Sequence, residues 1–371
     1  MTDWQRAKEL LALSMISGVG PVLARQLLAH YKSGEVIFSR SVADLMAVPN
    51  VGAVVAKKIV EANTLEKAEQ ELELLEKRNI IPLLFDSVEY PSFLRDIPSA
   101  PLVLFYRGNR QALERLGKRT LSIVGTRKAT AYGREFVQTL VSELKEYSSD
   151  ITIVSGLAHG IDAEAHRAAL QNELATIGIL GHGFSYLYPS NHVQMAEQML
   201  EKGGLLTEYV CDTAPDAYNF LQRNRIIAGI AAATIVVESP IQGGALATAN
   251  YCLEYNRHLF AVPGTVGRTM SQGCNRLIAR HKATLIESAD DIAAMLKWDK
   301  KTSINPPSAL FLPTKEEELI LSVIGSGNPK SFDEIVIEAQ LPINQLQMLL
   351  FQLEFAGQIR QLPGRLYERT H

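Results

Sequence analysis

The chain has 371 residues, 47% of them hydrophobic and 21% charged, the composition of a soluble globular protein with apolar material for one large core or several smaller ones. Its 37 Lys and Arg against 40 Asp and Glu leave a formal net charge of -3, which excludes a globally basic polyanion binder, so any polyanion site must be local. Cys211, Cys252 and Cys274 form no CxxC pair and are too scattered for a disulfide framework, and residues 1–30 lack the charged-then-apolar order of a secretory signal. No apolar run reaches the roughly 18–20 residues of a membrane span. The expectation is a cytoplasmic protein in a reducing compartment, with no membrane partner.

Residues 1–81 carry an internal repeat. "ISGVGPVLARQLL" and "VPNVGAVVAKKIV" superpose at an offset of 32 residues, with Gly20 on Gly52, Ala24 on Ala56 and Asn50 in the place of Gly18. Each unit reads as a tight glycine turn followed by a helix, and Asn is the next best residue for a left-handed turn. The pattern resembles tandem helix-hairpin-helix motifs of a SAM-like bundle. Their exposed N–H groups at helix N-termini suit phosphate, with Lys57 and Lys58 nearby, or the pair simply packs as a helical bundle. A helix over 65–77 closes this region.

From 82 to 297 the period changes. "LVLFYRG", "LSIVG", "ITIVSG", "ATIGILG", "GLLTEYV", "ATIVVES", "HLFAVPG" and "ATLIES" alternate with helical stretches, which predicts a Rossmann-like, doubly wound parallel sheet covered on both faces. Residues 298–313 read as a linker. Over 314–371, helices near 315–324, 331–339 and 343–356 followed by two short strands around Pro363-Gly364 predict a winged helix. Its third helix, "INQLQMLLFQLEF", holds no Lys or Arg, which weakens a groove-reading role and favours a protein partner at least equally.

Ligands of open α/β sheets bind outside the carboxyl ends of the strands. Those ends here are Gly125-Thr126-Arg127-Lys128, Ser155-Gly156 with Gly160 and Asp162, Gly181-His182-Gly183, and Glu238-Ser239 with Gly243-Gly244. Glycines allow close backbone approach, and loops running into helices present N–H groups to an anion. GxxxxGK[ST] and GxGxxG are both absent, which removes support for a P-loop NTPase or an ordinary dinucleotide enzyme. In "NFLQRNRIIAGIAAATIVVE", Arg223 and Arg225 read as lying just ahead of an apolar helix, able to bracket a phosphodiester while Phe220 offers a stacking face. The alternative is a carboxylate partner for Arg223 and a core position for Phe220.

"IVGTRKATAYG", "VSGLAHGIDAEAHRAAL", "GHGFSYLYPSN", "FLQRNRIIAGIAAATIVVES" and "GGALATANYCLEYNRHLFAVPG" with "SQGCNRLI", in this order, resemble the DNA-processing protein A (DprA/Smf) family across the whole central domain. The flanking regions suit a three-part member. The resemblance implies a single-stranded DNA-binding protein that protects incoming DNA during natural transformation, loads the RecA recombinase, dimerises through the Rossmann domain and has no known turnover or cofactor. Carried over by residue, Gly125, Thr126 and Arg127 match the family's Gly-Ser-Arg turn, with Lys128 following it. Ser155, Gly156, Gly160 and Asp162 match its Ser-Gly-x-Ala-x-Gly-Ile-Asp loop. Arg223, Asn224 and Arg225 match its Arg-Asn-Arg motif, Phe220 the aromatic residue before it, and Gly243 and Gly244 open its glycine loop. Departures are Thr126 for Ser, Ser185 for Asp, Leu221 for Pro and "GGALATA" for Ser-Gly-Ser-Leu-x-Thr-Ala.

Two enzymatic readings compete. His159, Asp162 and His166 would share a helical face and could ligate a metal if the helix began at His159, but the preceding strand and Ser-Gly turn place His159 in a loop and Asp162 in the first helical turn, so no metal is expected. The strand-end glycines also resemble lysine-decarboxylase-like phosphoribohydrolases, in which case Glu254 and Arg225 would be the working residues. Over 100 residues of flanking modules speak against that reading.

Overall fold

The computed structural model describes residues 4–117, 119–300, 313–325, 329–355, 358–362 and 364–369. The chain divides into two compact units, Met1–Lys301 and Thr302–His371. Most of the expected linker, and Pro363 of the expected terminal turn, lie outside the described residues.

The N-terminal helices follow the repeat. Gly20 caps the helix Pro21–Tyr31 and Gly52 caps Ala53–Val60, each with extended backbone and no side-chain cap. Gly18 and Asn50 occupy equivalent turns at φ 95° and 67°, so the substitution keeps the left-handed conformation. Ala24, Leu27, Ala56 and Ile59 are buried together with Leu72 and Leu75 of the helix Thr64–Lys77. That core does not stop at the expected domain boundary. It continues into Leu84, Leu102, Val103 and Phe105 of the sheet region and into Cys211, making one continuous apolar body.

The sheet of the first unit has nine strands: β1 Ile81–Leu84, β2 Val103–Gly108, β3 Thr120–Val124, β4 Thr152–Ser155, β5 Ala175–Ile179, β6 Gly204–Thr207, β7 Ala233–Val236, β8 His258–Ala261 and β9 Thr284–Leu285, in the order β1-β2-β6-β5-β4-β3-β7-β8-β9. From β6 through β9 all pairs are parallel. β2 runs antiparallel to both β6 and β1, a departure from the expected parallel run "LVLFYRG". β1 was not expected at all, because Pro82 obscures its apolar run; as an edge strand it tolerates a residue without an N–H. Alternation within strands feeds two cores. Leu121, Ile123 and Ile153 face one helical layer, and Val124 and Val154 face the other. Each such fully buried aliphatic side chain contributes about 1.5–3 kcal/mol.

The chain winds outward from β3 through β4, β5 and β6 on one side, then returns to begin β7, β8 and β9 on the other. The reversal lies between β3 and β7, where their carboxyl ends leave a crevice.

In the second unit, helices Lys315–Ile324, Phe332–Ala339 and Ile343–Phe355 pack with a sheet of β10 Lys330–Ser331, β11 Ile359–Leu362 and β12 Leu366–Arg369, in the order β10-β12-β11. Capping boxes at Thr314/Glu317 and Ser331/Glu334 fix the first two helix starts, and Gly364 at φ 91° helps turn β11 into β12. This is the expected winged helix.

Candidate nucleic-acid interface

The crevice at the β3/β7 reversal has a volume of about 630 Å³. Its wall after β3 is held rigidly. The Thr126 N–H donates to the Glu238 carbonyl at 2.7 Å, and the buried Glu238 carboxylate accepts from the Thr130 N–H at 2.9 Å and the Thr130 hydroxyl at 2.6 Å. Gly160, at φ 77°, brings the β4 loop against this wall. A Cβ there would overlap the Thr126 carbonyl oxygen and come within 2.7 Å of the Arg127 backbone. Arg127 is thereby carried to the rim, exposed and without a hydrogen bond or ion pair to any other described residue.

Behind the rim sits a buried polar knot. The Asp162 carboxylate accepts from the Gly156 N–H at 3.1 Å, and Arg223 donates through Nη1 to the carbonyls of Gly156, at 2.8 Å, and of Ile179. Burial pushes the Asp162 carboxyl up, opposed by the neighbouring Arg223. Burial also pushes Arg223 down to about 10, opposed first by Asp162 and then by Tyr209, with Arg127 a smaller influence in the lowering direction. Arg223, its charge partly offset by Asp162, and Arg127, without an ion pair to another described residue, thus lie at one end of the crevice and favour an incoming anion there.

The opposite wall is aromatic. Phe220 on the helix Ala217–Ile230 packs over Gly181, lies 5.4 Å from Tyr188 at an interplanar angle of 37°, and has the Arg223 guanidinium 5.9 Å from its ring centre. Tyr188 is 44% exposed and presents its ring to the opening. The N-terminus of the helix Ala245–Glu254 completes the site. Gly244 precedes it with no side-chain cap and open space where a Cβ would stand, and Thr248 lines the floor. The crevice therefore offers cationic groups, a helix N-terminus and stacking rings, an arrangement fitted to a phosphate-linked base.

Of the residues singled out from sequence, Gly125, Thr126, Arg127, Asp162, Phe220, Arg223, Asn224, Gly243 and Gly244 line the crevice, and Gly156 borders a small adjoining recess with Arg127 and His159. Lys128 is exposed beside it. Ser155 turns inward and donates to the Ile123 carbonyl at 2.6 Å, and Gly160 acts through the packing of the two loops. The expectation that Arg223 and Arg225 precede an apolar helix is corrected. Both lie inside the helix Ala217–Ile230, which Asp216 caps by accepting from the Tyr218 N–H at 2.8 Å. Positions two apart on a helix differ by about 200°, so the two side chains take opposite directions. Arg225 pairs with Glu208, both nearly buried, and is absent from the crevice lining. Burial pushes the Glu208 carboxyl up against the pull of Arg225.

Glu254 ends the helix Ala245–Glu254 and does not line the crevice either, so neither group needed by the hydrolase reading is there. The helix Ile161–Gln171 begins after His159, as the turn predicts, and no group of three or more His, Cys, Asp or Glu suited to a metal occurs among the described residues. Tyr188 was not singled out. Its only sequence signal is an aromatic pair, Tyr186 and Tyr188, in a loop that follows a strand-end Gly-His-Gly.

Comparison with known proteins agrees with this architecture. Residues 82–297 match the family model described as DNA recombination-mediator protein A, residues 305–365 the DprA winged helix domain, and residues 10–62 the SAM-like helix-hairpin-helix tandem. The Smf protein of Synechocystis sp. is 33% identical over 390 residues, covering 97% of this chain and 98% of its own. DNA processing protein DprA of Bacillus subtilis is 39% identical over 214 residues, covering 58% and 70%. The structure of DNA processing protein A from Streptococcus pneumoniae superposes with a TM-score of 0.66 at 27% identity, covering 81% of this chain and 99% of its own. That from Helicobacter pylori, described for its single-stranded DNA binding mode, gives 0.52 at 26% identity, covering 59% and 97%. With a family match across the whole sheet domain and a relative aligned nearly end to end, the chain belongs to the DNA recombination-mediator protein A family, DprA/Smf.

Proposed function

We propose that this chain binds single-stranded DNA across the β3/β7 crevice, as a non-catalytic mediator that hands the strand to the RecA recombinase in DNA processing and natural transformation. The observation that carries the reading is the juxtaposition of the unpaired Arg127 with the Tyr188/Phe220 ring pair on facing walls of one crevice. A duplex keeps its bases stacked inside, whereas a single strand can place a base on these rings and its phosphate on the cations. The Helicobacter pylori relative and its single-stranded DNA mode support the same substrate. The recombinase partner, a homodimer through the Rossmann domain and a cytoplasmic location come from the family resemblance, and three buried free thiols accord with a reducing compartment.

The test is fluorescence anisotropy of labelled single- and double-stranded oligonucleotides at two salt concentrations. Single-strand preference is expected, with affinity falling steeply in salt. Phe220→Ala should cost about 1–3 kcal/mol at either salt, while Arg127→Ala should flatten the salt slope by about 0.7. No binding, together with hydrolysis of phosphoribosyl nucleotides, would replace this reading by the hydrolase one. Recombinase loading is read separately, from the rate at which RecA assembles on an oligonucleotide with and without the protein.

A further inference from the structure

A second basic recess, of about 500 Å³, lies at the seam between the N-terminal helices and the sheet, lined by Lys77, Arg78, Asn79, Arg107, Phe184 and Ser185. Three of its six lining residues are cations and none is a carboxylate, in a chain whose net charge is -3. Arg78 donates through Nη1 to the Ser185 hydroxyl at 2.8 Å, and Ser185 donates onward to Asp212 at 2.5 Å. Lys77 is 3.7 Å from Glu73, both widely exposed, a pairing worth little in water. Arg107, exposed near the end of β2, is held by its backbone opposite Leu205 of β6, and its guanidinium has no hydrogen bond or ion pair to another described residue. Three cations around one opening, with Glu73 and Asp212 as the carboxylates beside them and Arg107 carrying no ion pair to another described residue, leave a local excess of positive charge that favours an anion.

The recess shares a loop with the crevice. Ser185 lines one and Tyr188 lines the other, three residues apart, so their Cα atoms are separated by at most about 11 Å. We propose that the Lys77/Arg78/Arg107 recess is a second station for the same DNA strand, holding backbone phosphates beyond the base seated at Tyr188 and Phe220. This rests on the single-stranded DNA reading of the crevice. It assigns the N-terminal helices a part in DNA binding through the end of their last helix, independent of the glycine turns of the hairpins.

The test compares full-length protein with the Lys77→Gln/Arg107→Gln double variant, both substitutions at exposed positions, on labelled oligothymidines of about 6 and about 20 nucleotides. The short probe should bind both proteins within about twofold, and the long probe should bind the variant about fivefold more weakly, its salt slope reduced by about 1.4 for two lost phosphate contacts. Equal affinity for the long probe, or equal loss on both lengths, overturns the second station. A pyrophosphate titration followed by melting temperature separates the two sources of phosphate. If pyrophosphate stabilises wild type and not the variant while long-probe affinity is unchanged, the recess takes a free polyphosphate and the strand assignment is overturned. If wild type binds neither probe, the crevice reading itself falls, an outcome distinct from loss of length dependence alone.

Discussion

The β3/β7 crevice and the third helix of the winged helix are the two places where a protein of this build would be expected to meet DNA, and their surfaces are opposites. The crevice places exposed Arg127, buried Arg223, a helix N-terminus without a side-chain cap and two aromatic rings around one opening, and exposed Lys128 follows Arg127 in the chain. The helix Ile343–Phe355 carries no cation and exposes Ile343, Met348 at 57% and Phe351 at 69%. Nearby Lys330 and Arg360 are paired with Glu338 and Glu368. Phosphate contacts supply much of nucleic-acid affinity, so a fold known for reading DNA does not by itself confer that capacity. Here the strand ends carry the chemistry, and the winged helix offers an apolar face.

The comparison is most severely tested at Gly160. Gly160→Val places a branched side chain at φ 77° and against the Thr126 carbonyl, so the expected cost is about 4 kcal/mol in strain and overlap together. Calorimetry should show the first unit melting lower, and any folded protein should have lost single-strand affinity because the Arg127 wall is displaced.

Arg225→Ala sharpens the distinction between the two faces of one helix. It leaves the nearly buried Glu208 without its partner, at a cost of roughly 3 kcal/mol, while the folded fraction should bind an oligonucleotide within about twofold of wild type. A large affinity loss at unchanged stability would return Arg225 to the interface.

Acid should separate the two units. His166 is fully buried, with Nδ1 2.7 Å from the Thr176 hydroxyl, and burial pushes it down to about 3 from an ordinary 6.5, while His182 and His192 are shifted the same way by burial. Between those values the unfolded chain binds the proton more readily, so the stabilising contribution present above pH 6.5 is lost as pH falls toward 3. Among the described residues every histidine belongs to the first unit. The melting temperature of that unit should therefore drop first on acidification, and less steeply in His166→Gln. The smallest effect is expected at Phe351→Ser, which should leave single-strand affinity within experimental error; a several-fold loss would mean that the winged helix does touch the strand.

Much of the fold was legible in the sequence, for local reasons. The repeat at 16–28 and 48–60 gave both hairpins, including the exchange of Gly18 for Asn50, because a left-handed turn admits few residue types. The apolar runs gave the seven parallel strands β3 to β9, and the glycines ending four of them marked loops at the crevice, because strands buried on both faces, as β3 to β7 are, leave an unmistakable composition. β1 and the antiparallel direction of β2 were not legible, since burial pattern carries no information about strand direction.

Side-chain direction marks the division between what the sequence determined and what only the tertiary structure decided. The sequence by itself determined the three-part organisation, the position of the glycine loops and the presence of Arg127, Phe220, Arg223 and Arg225. Only the packed structure decided that Arg223 faces the crevice while Arg225 is matched to Glu208, because residues two apart on a helix diverge and the buried carboxylate lies at the end of β6, a distant point in the chain. It likewise brought Tyr188 onto Phe220 and Arg107 beside Arg78, pairings between segments remote in sequence whose proximity is set by strand order and loop packing.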